Sequence, residues 1–256
     1  MTSNPILAKL FGPGAFILLT LAGVSHATPT TMIWTPCSID MQAFKVVHLT
    51  YDNYTTLGRK GPERGGQAFA NDLGLTVGVL PFDVVQMEVG VDWLEPTDYP
   101  LFFNAKFGAP EGTLFRGAPA LQAGIFNVGT KGGVTDQNVV DLITGRSLPA
   151  GLGRVHLGGY FGNARVLRSS DGAKANSGVM AAYDFGFWPA PATAGGFNRI
   201  VLAADWMSGM NALGGGAVGV NWCFAKNASI LAGPCWFNDA GINGHWKWTT
   251  QFDANF

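Results

Sequence analysis

The chain has 256 residues, 47% hydrophobic, 12% aromatic and 13% charged, with Lys+Arg 16 against Asp+Glu 17. A balance so near neutral excludes the basic footprint that nucleic-acid binding needs, and the charged share is about half that of an ordinary soluble domain. Three cysteines, Cys37, Cys223 and Cys235, form no C-x-x-C or Cys/His cluster, so a zinc or haem site is not indicated and no cofactor is expected.

Lys9 is the only charge before the run from Leu10 to Val24, which is apolar apart from glycine, proline and Thr20. Ser25-His26-Ala27 follows, with small residues placed for a cut after Ala27. This pattern reads as a secretory signal peptide over residues 1–27. The run falls short of the ~20 residues of a membrane-spanning helix, and no cysteine stands at the cut to carry a lipid anchor. Residues 28–256 then form a single domain, with 15 Lys+Arg against 17 Asp+Glu and a net charge of −2. After the signal no apolar run approaches a helical span. A chain this apolar without such spans fits a membrane barrel, because only helices and closed barrels satisfy their backbone in lipid.

In chain order, Thr28 to Pro36 is a lead-in, and Ser38 to Tyr51 is the first expected strand. Its alternation sets Ile39, Met41, Ala43, Val47 and Leu49 against Asp40, Gln42, His48 and Thr50. Lys45 interrupts the first face, and Phe44 and Val46 sit on the second. A polar loop, Asp52 to Gly66, carries Arg59 and Lys60. Phe69 to Leu80 and Val85 to Trp93, joined by the turn Pro81-Phe82-Asp83, make the clearest hairpin. Leu73, Leu75, Val77 and Val79 face out with Met87, Val89, Val91 and Trp93. Asp72, Glu88 and Asp92 face in.

Leu101 to Gly108 and Ala120 to Val128 follow, the latter weaker. Val139 to Leu148 is the least regular candidate, and its D-L-I-T pattern equally suits a loop or short helix. Leu152 to Phe161 sets Val155, Leu157 and Phe161 against Arg154, His156 and Tyr160. After a loop at 162–177 come Val179 to Phe185 and Ile200 to Trp206, with inward Asp184 and Asp205. Val218 to Phe224 turns at Ala225-Lys226-Asn227 into Ser229 to Phe237, and Asn238 to Gly244 leads to the end of the chain.

The last stretch, Trp246 to Phe256, alternates over eleven residues: Trp246, Trp248, Thr250, Phe252, Ala254 and Phe256 against Lys247, Thr249, Gln251, Asp253 and Asn255. Its length suits a tilted bilayer strand, and its aromatics lie towards both ends, where such a strand meets headgroups. Ending on phenylalanine, it resembles the C-terminal signature of Gram-negative outer-membrane β-barrels. The resemblance implies an all-β fold, a transmembrane antiparallel up-and-down barrel, with Phe256 as the assembly signal. It also implies outer-membrane lipid, lipopolysaccharide and the barrel assembly machinery as partners. Twelve strands are expected, or ten without the pair at 120–148. The tight turns at Pro81-Asp83, Pro149-Gly151 and Ala225-Asn227 then share one end, and the loops at 52–66 and 162–177 the other.

By alternation the lumen is lined by Asp40, Asp72, Glu88, Asp92, Asp184, Asp205 and Asp253, by Lys106, Arg154 and Lys247, and by His156. Seven acidic against three basic groups leave a net −4, a weak bias towards cations. Eight-stranded barrels are filled and porins of 16 to 18 strands hold water; twelve lie between, so strand number leaves a filled and an open lumen equally open. His48 and His245 also point inward or to the rim, and Asp239 with His245 flanks one outer loop. No serine neighbours a histidine in sequence, so no catalytic site is expected. With the turn centred on Asn227, position 223 faces position 231, which leaves Cys223 and Cys235 unpaired; a longer turn near Ser229 would align them. The expected function is a narrow porin-like channel for small polar solutes. The alternatives are a closed structural barrel presenting its outer loops, an enzyme built on a barrel, and a soluble periplasmic sandwich.

Overall fold

The computed structural model describes residues 31–57 and 70–256. The signal-peptide assignment over 1–27 and most of the loop 52–66, with Arg59 and Lys60, fall outside the described residues. Twelve antiparallel strands close into a barrel: β1 (Val47–Thr55), β2 (Asn71–Gly78), β3 (Gln86–Glu95), β4 (Leu101–Ala109), β5 (Ala120–Gly129), β6 (Asp136–Ser147), β7 (Arg154–Phe161), β8 (Ser177–Pro189), β9 (Asn198–Met207), β10 (Gly215–Ala225), β11 (Ala228–Phe237) and β12 (Trp246–Asn255). Each strand pairs with its sequence neighbours, and β1 closes the ring on β12, with Tyr51 opposite Phe252. The ten-strand alternative is thereby excluded. Residues 139–147 are strand rather than loop or helix, lying within the twelve residues of β6, and Leu148 begins the following connection.

The end at which β1 begins is called the lower end here. The connections 79–85, 148–153 and 226–227 lie there, and 162–176 and 238–245 lie at the upper end. Outward side chains are large and apolar. Trp93, Phe103, Phe161, Trp206, Trp236 and Trp248 form a ring towards the upper end, and Phe107, Phe187, Trp188, Trp222, Phe224 and Phe252 another towards the lower. Two aromatic girdles flanking an aliphatic band are what a barrel wall in lipid presents. Among the described residues no helix is long and apolar enough to cross a membrane.

The main departure from the sequence-based expectation is at the start. The first strand is Val47–Thr55, not Ser38 to Tyr51. Asp52, Asn53 and Tyr54 extend it instead of opening a loop. Residues 31–46 run inside the barrel, descending from the upper end to the lower. The break in alternation at Phe44 and Lys45 marks the turn from this inner segment into the wall, where Lys45 takes a left-handed φ of 65°.

The segment explains why the interior has two sides. Ile33, Cys37 and Ile39 pack in one cluster with Val139, Ile143, Met180, Ala203, Met207, Leu231 and Cys235. Strands β6 and β8 to β11 therefore carry apolar side chains on both faces over much of their length, one face for the outside and one for the segment, whereas β7 turns Arg154 and His156 to the segment. Each valine, leucine, isoleucine or methionine among those apolar side chains contributes about 1.5–3 kcal/mol on removal from water. The opposite wall, β12 with β1 to β4, keeps His48, Asp52, Thr76, Glu88, Asp92, Lys106, Gln251 and Asp253 turned inward.

Candidate functional site: the lumen and its inner segment

Three polar anchors hold the segment. At the top, Oδ2 of Asp205 accepts the consecutive backbone N–H groups of Ile33, Trp34 and Thr35 at 3.0, 2.8 and 2.7 Å. Its Oδ1 takes the N–H of Ala217 at 3.1 Å. The indole N–H of Trp34 donates to the Leu213 carbonyl at 2.8 Å, and its ring meets Tyr54 and Phe237 edge-on.

Lower down, Arg154 clamps Asp40 through both guanidinium ends at 2.7 Å, while its Nε donates to Asp184 at 3.0 Å. Asp184 also bonds Nε2 of His156 at 2.8 Å, and His156 Nδ1 accepts the N–H of Ile39 at 3.2 Å. Asp40 thus sits on the inner segment and not on the wall. The third anchor is Glu88, whose Oε2 accepts the N–H of Gln42 at 2.7 Å. Lys106 stands opposite Glu88 in register and donates to the Ser38 carbonyl at 3.2 Å. Glu88 therefore has a basic neighbour, which sequence proximity alone did not show.

Between the segment and the polar wall lies a cavity of about 370 Å³. Its upper rim includes Tyr54, Leu94, Gln137, Leu213 and Asn243; its depth reaches Thr76, His48 and Asp253. Four carboxylates line it, Asp52, Asp72, Asp92 and Asp253, and no lysine or arginine does so among the described residues. Asp52 and Asp72 face one another across β1 and β2. Thr50 donates to Asp52, Asn104 donates to Asp92, and His48 Nε2 lies 3.3 Å from Asp253.

Of the residues expected to line the lumen, Asp72, Asp92 and Asp253 border this cavity. Asp40, Glu88, Arg154, His156, Asp184 and Asp205 serve the segment instead. Lys106 is buried beside it. Lys247 is buried near the upper end, where its ammonium donates to the Thr56 hydroxyl at 2.7 Å. Asp52 and Asp141 are inward carboxylates that sequence reading missed. In sequence Asp52 reads as the start of a loop, and Asp141 sits in β6, where V-V-D-L-I sets one largely apolar face against another.

Asp239 and His245 do not form an acid/base pair. Asp239 accepts the N–H of Gly241 at 3.0 Å to start the short helix α1 (Ala240–Asn243), and the N–H of Ser170 at 2.7 Å, whereas His245 is exposed. Phe256 pairs its backbone with Val47 in both directions, at 2.9 and 3.2 Å, and leaves its ring outside, 75% exposed. Cys223 stands opposite Ser229, not residue 231, because the turn is only Lys226-Asn227 and the register shifts by one residue between Cys223 and Ala225. Cys235 stands opposite Ala217 near the other end of the hairpin, and all three thiols are free and buried.

No family model and no curated protein matches the chain. Among solved structures it is similar to the NanC porin, at 6% identity and a TM-score of 0.47, covering 83% of this chain and 98% of that one. It is also similar to an outer membrane channel from Pseudomonas putida F1, at 13% identity and a TM-score of 0.44, covering 91% and 98%. A Rh. blastica porin mutant matches at 13% identity and a TM-score of 0.38, over 73% of this chain and 55% of the porin. This chain thus spans little more than half of that porin's length. Likenesses this distant assign the chain to no family.

Proposed function

We propose that the chain is a barrel of the Gram-negative outer membrane that passes small polar solutes, with a mild preference for cations. The observation that carries this reading is the cavity beside the inner segment, lined by four aspartates and by no lysine or arginine among the described residues. The two aromatic girdles and the closed twelve-stranded wall support a lipid setting, which such a barrel enters through the barrel assembly machinery. Lipid contacts the wall, and the upper loops meet lipopolysaccharide. The reading is non-catalytic, since His156 is held by Asp184 and Ile39, and His48 by Asn255 and Asp253.

A second reading, a closed structural barrel, is favoured by the inner segment itself, which packs inside the barrel and is anchored at three levels. Planar-bilayer recording of the purified barrel in a potassium chloride gradient separates the two. A small conductance with a reversal potential on the cation side supports passage. Silence at all potentials supports the closed barrel.

A further inference from the structure

We propose that the turn formed by residues 42–46 is a displaceable seal at the lower mouth of the lumen, seated on Gly78 and Glu88, and that its release opens the acidic cavity to the lower side. The proposal rests on the passage reading above. Gly78 and Glu88 are partners across β2 and β3, so the seat is one place on the wall. There the N–H of Lys45 donates to the Gly78 carbonyl at 2.8 Å, and the N–H of Gly78 donates to the Val46 carbonyl at 3.2 Å. Phe44 bridges Gly78, and the N–H of Gln42 meets Glu88. The fit demands glycine: a Cβ at position 78 would stand 2.0 Å from the backbone oxygen of Ala43 and 2.6 Å from that of Gln42.

What lies above the turn is held differently from the turn itself. Residues 33–40 combine buried apolar packing with the Asp205 and Arg154 anchors. Below Asp40, Ala43, Phe44 and Lys45 are exposed and bury little. The side-chain amide nitrogen of Gln42 is buried without a hydrogen-bond partner, which disfavours the seated state. Lys45, a non-glycine residue at φ 65°, adds strain that only the seat maintains. A strained, sparsely packed stretch thus spans two fixed points, Asp40 on Arg154 and Val47 at the start of β1. Elements of this kind open locally while their surroundings stay folded.

The test uses the full-length barrel. Gly78→Ala should push the turn off its seat and raise single-channel conductance or open probability severalfold over the unaltered protein. Gln42→Pro deletes the N–H that meets Glu88 and alters no wall strand, so it should act in the same direction even where Gly78→Ala impairs assembly. An unaltered barrel that conducts, with both assembled variants no different from it, would overturn the seal and leave passage standing. Silence from all three, with assembly shown by heat-shifted mobility, would remove the passage reading and the seal with it.

Discussion

The backbone N–H of Trp34 donates to the carboxylate of Asp205 at 2.8 Å, across 171 residues of sequence. Because Ile33 and Thr35 share the same oxygen, one aspartate fixes the upper part of the inner segment. Asp205→Ala removes the side-chain acceptor of four N–H groups, those of Ile33, Trp34, Thr35 and Ala217, three of them in fully buried residues, Ile33, Thr35 and Ala217. Each buried donor left unmade costs about 1–3 kcal/mol. Relaxation of the segment makes the losses less than additive, so destabilisation of about 2–4 kcal/mol is expected. It should appear as a lower Tm and as new proteolysis within 31–36. Asp205→Asn keeps an acceptor oxygen and should lose less. An unchanged Tm in Asp205→Ala would show that apolar packing alone holds the segment.

How much of this was legible follows from what each strand faces. Where the outward face is apolar and the inward face polar, as in β2, β3 and β12, polarity alternates and the sequence shows strand, turn and inward carboxylates together. Where both faces are apolar, as in β6 with Val139 and Ile143 inside and Val140 and Leu142 outside, alternation fades. Residues 31–46 were illegible for another reason. They carry strand-like alternation without lying in the sheet, and the fold reads their polar positions through partners such as Arg154 and Glu88, 114 and 46 residues away. The visible clue was the lost phase at Phe44 and Lys45. Register was equally hidden, and it decides that Glu88 faces Lys106 and that Asp52 faces Asp72.

Assembly should depend on the end of the chain. Phe256 contributes two backbone hydrogen bonds to Val47, but its ring touches the outside. Deleting it should therefore affect recognition during assembly more than the stability of finished barrel. The expected result is a lower yield of heat-modifiable barrel and more protease-sensitive periplasmic chain, with a Tm close to normal in the fraction that assembles. Normal membrane levels of the deletion would count against the assembly-signal role.

The upper loops should loosen in acid. Burial raises the pKa of the Asp239 carboxyl, but the N–H and hydroxyl of Ser170 and the N–H of Gly241 outweigh it and hold the group below its ordinary range. In Asp171 the Ser169 hydroxyl and the Ala173 N–H act in the same direction. A group whose pKa is lower in the folded state stabilises that state when ionised. The contribution is present above the unfolded value of about 3.9, and it is lost as pH falls through the lowered one. Loop 162–176 should therefore resist protease at neutral pH and become cleavable in strong acid. Asp239→Asn should show that sensitivity already at pH 7, and a variant as resistant as the parent would remove Asp239 as the tie.

In a conducting barrel, charge selectivity should follow the carboxylates that border the cavity, and the inward carboxylates are not equivalent. Glu88 faces Lys106 and binds the inner segment, so its neutralisation should alter the segment more than the ion preference. Asp253 has His48 beside it. Asp72 and Asp92 remain, on neighbouring strands, with Asp52 directly opposite Asp72. If current passes, Asp72→Asn with Asp92→Asn should move the reversal potential in a dilute gradient towards the non-selective value. The screening length falls from about 10 Å at 0.1 M salt to about 3 Å at 1 M. The difference between parent and variant should therefore shrink in concentrated salt. Glu88→Gln, measured beside them, should change selectivity less than the pair does. A parent channel that favours anions, or a double variant that keeps full cation preference, would show that ions take a path away from this wall.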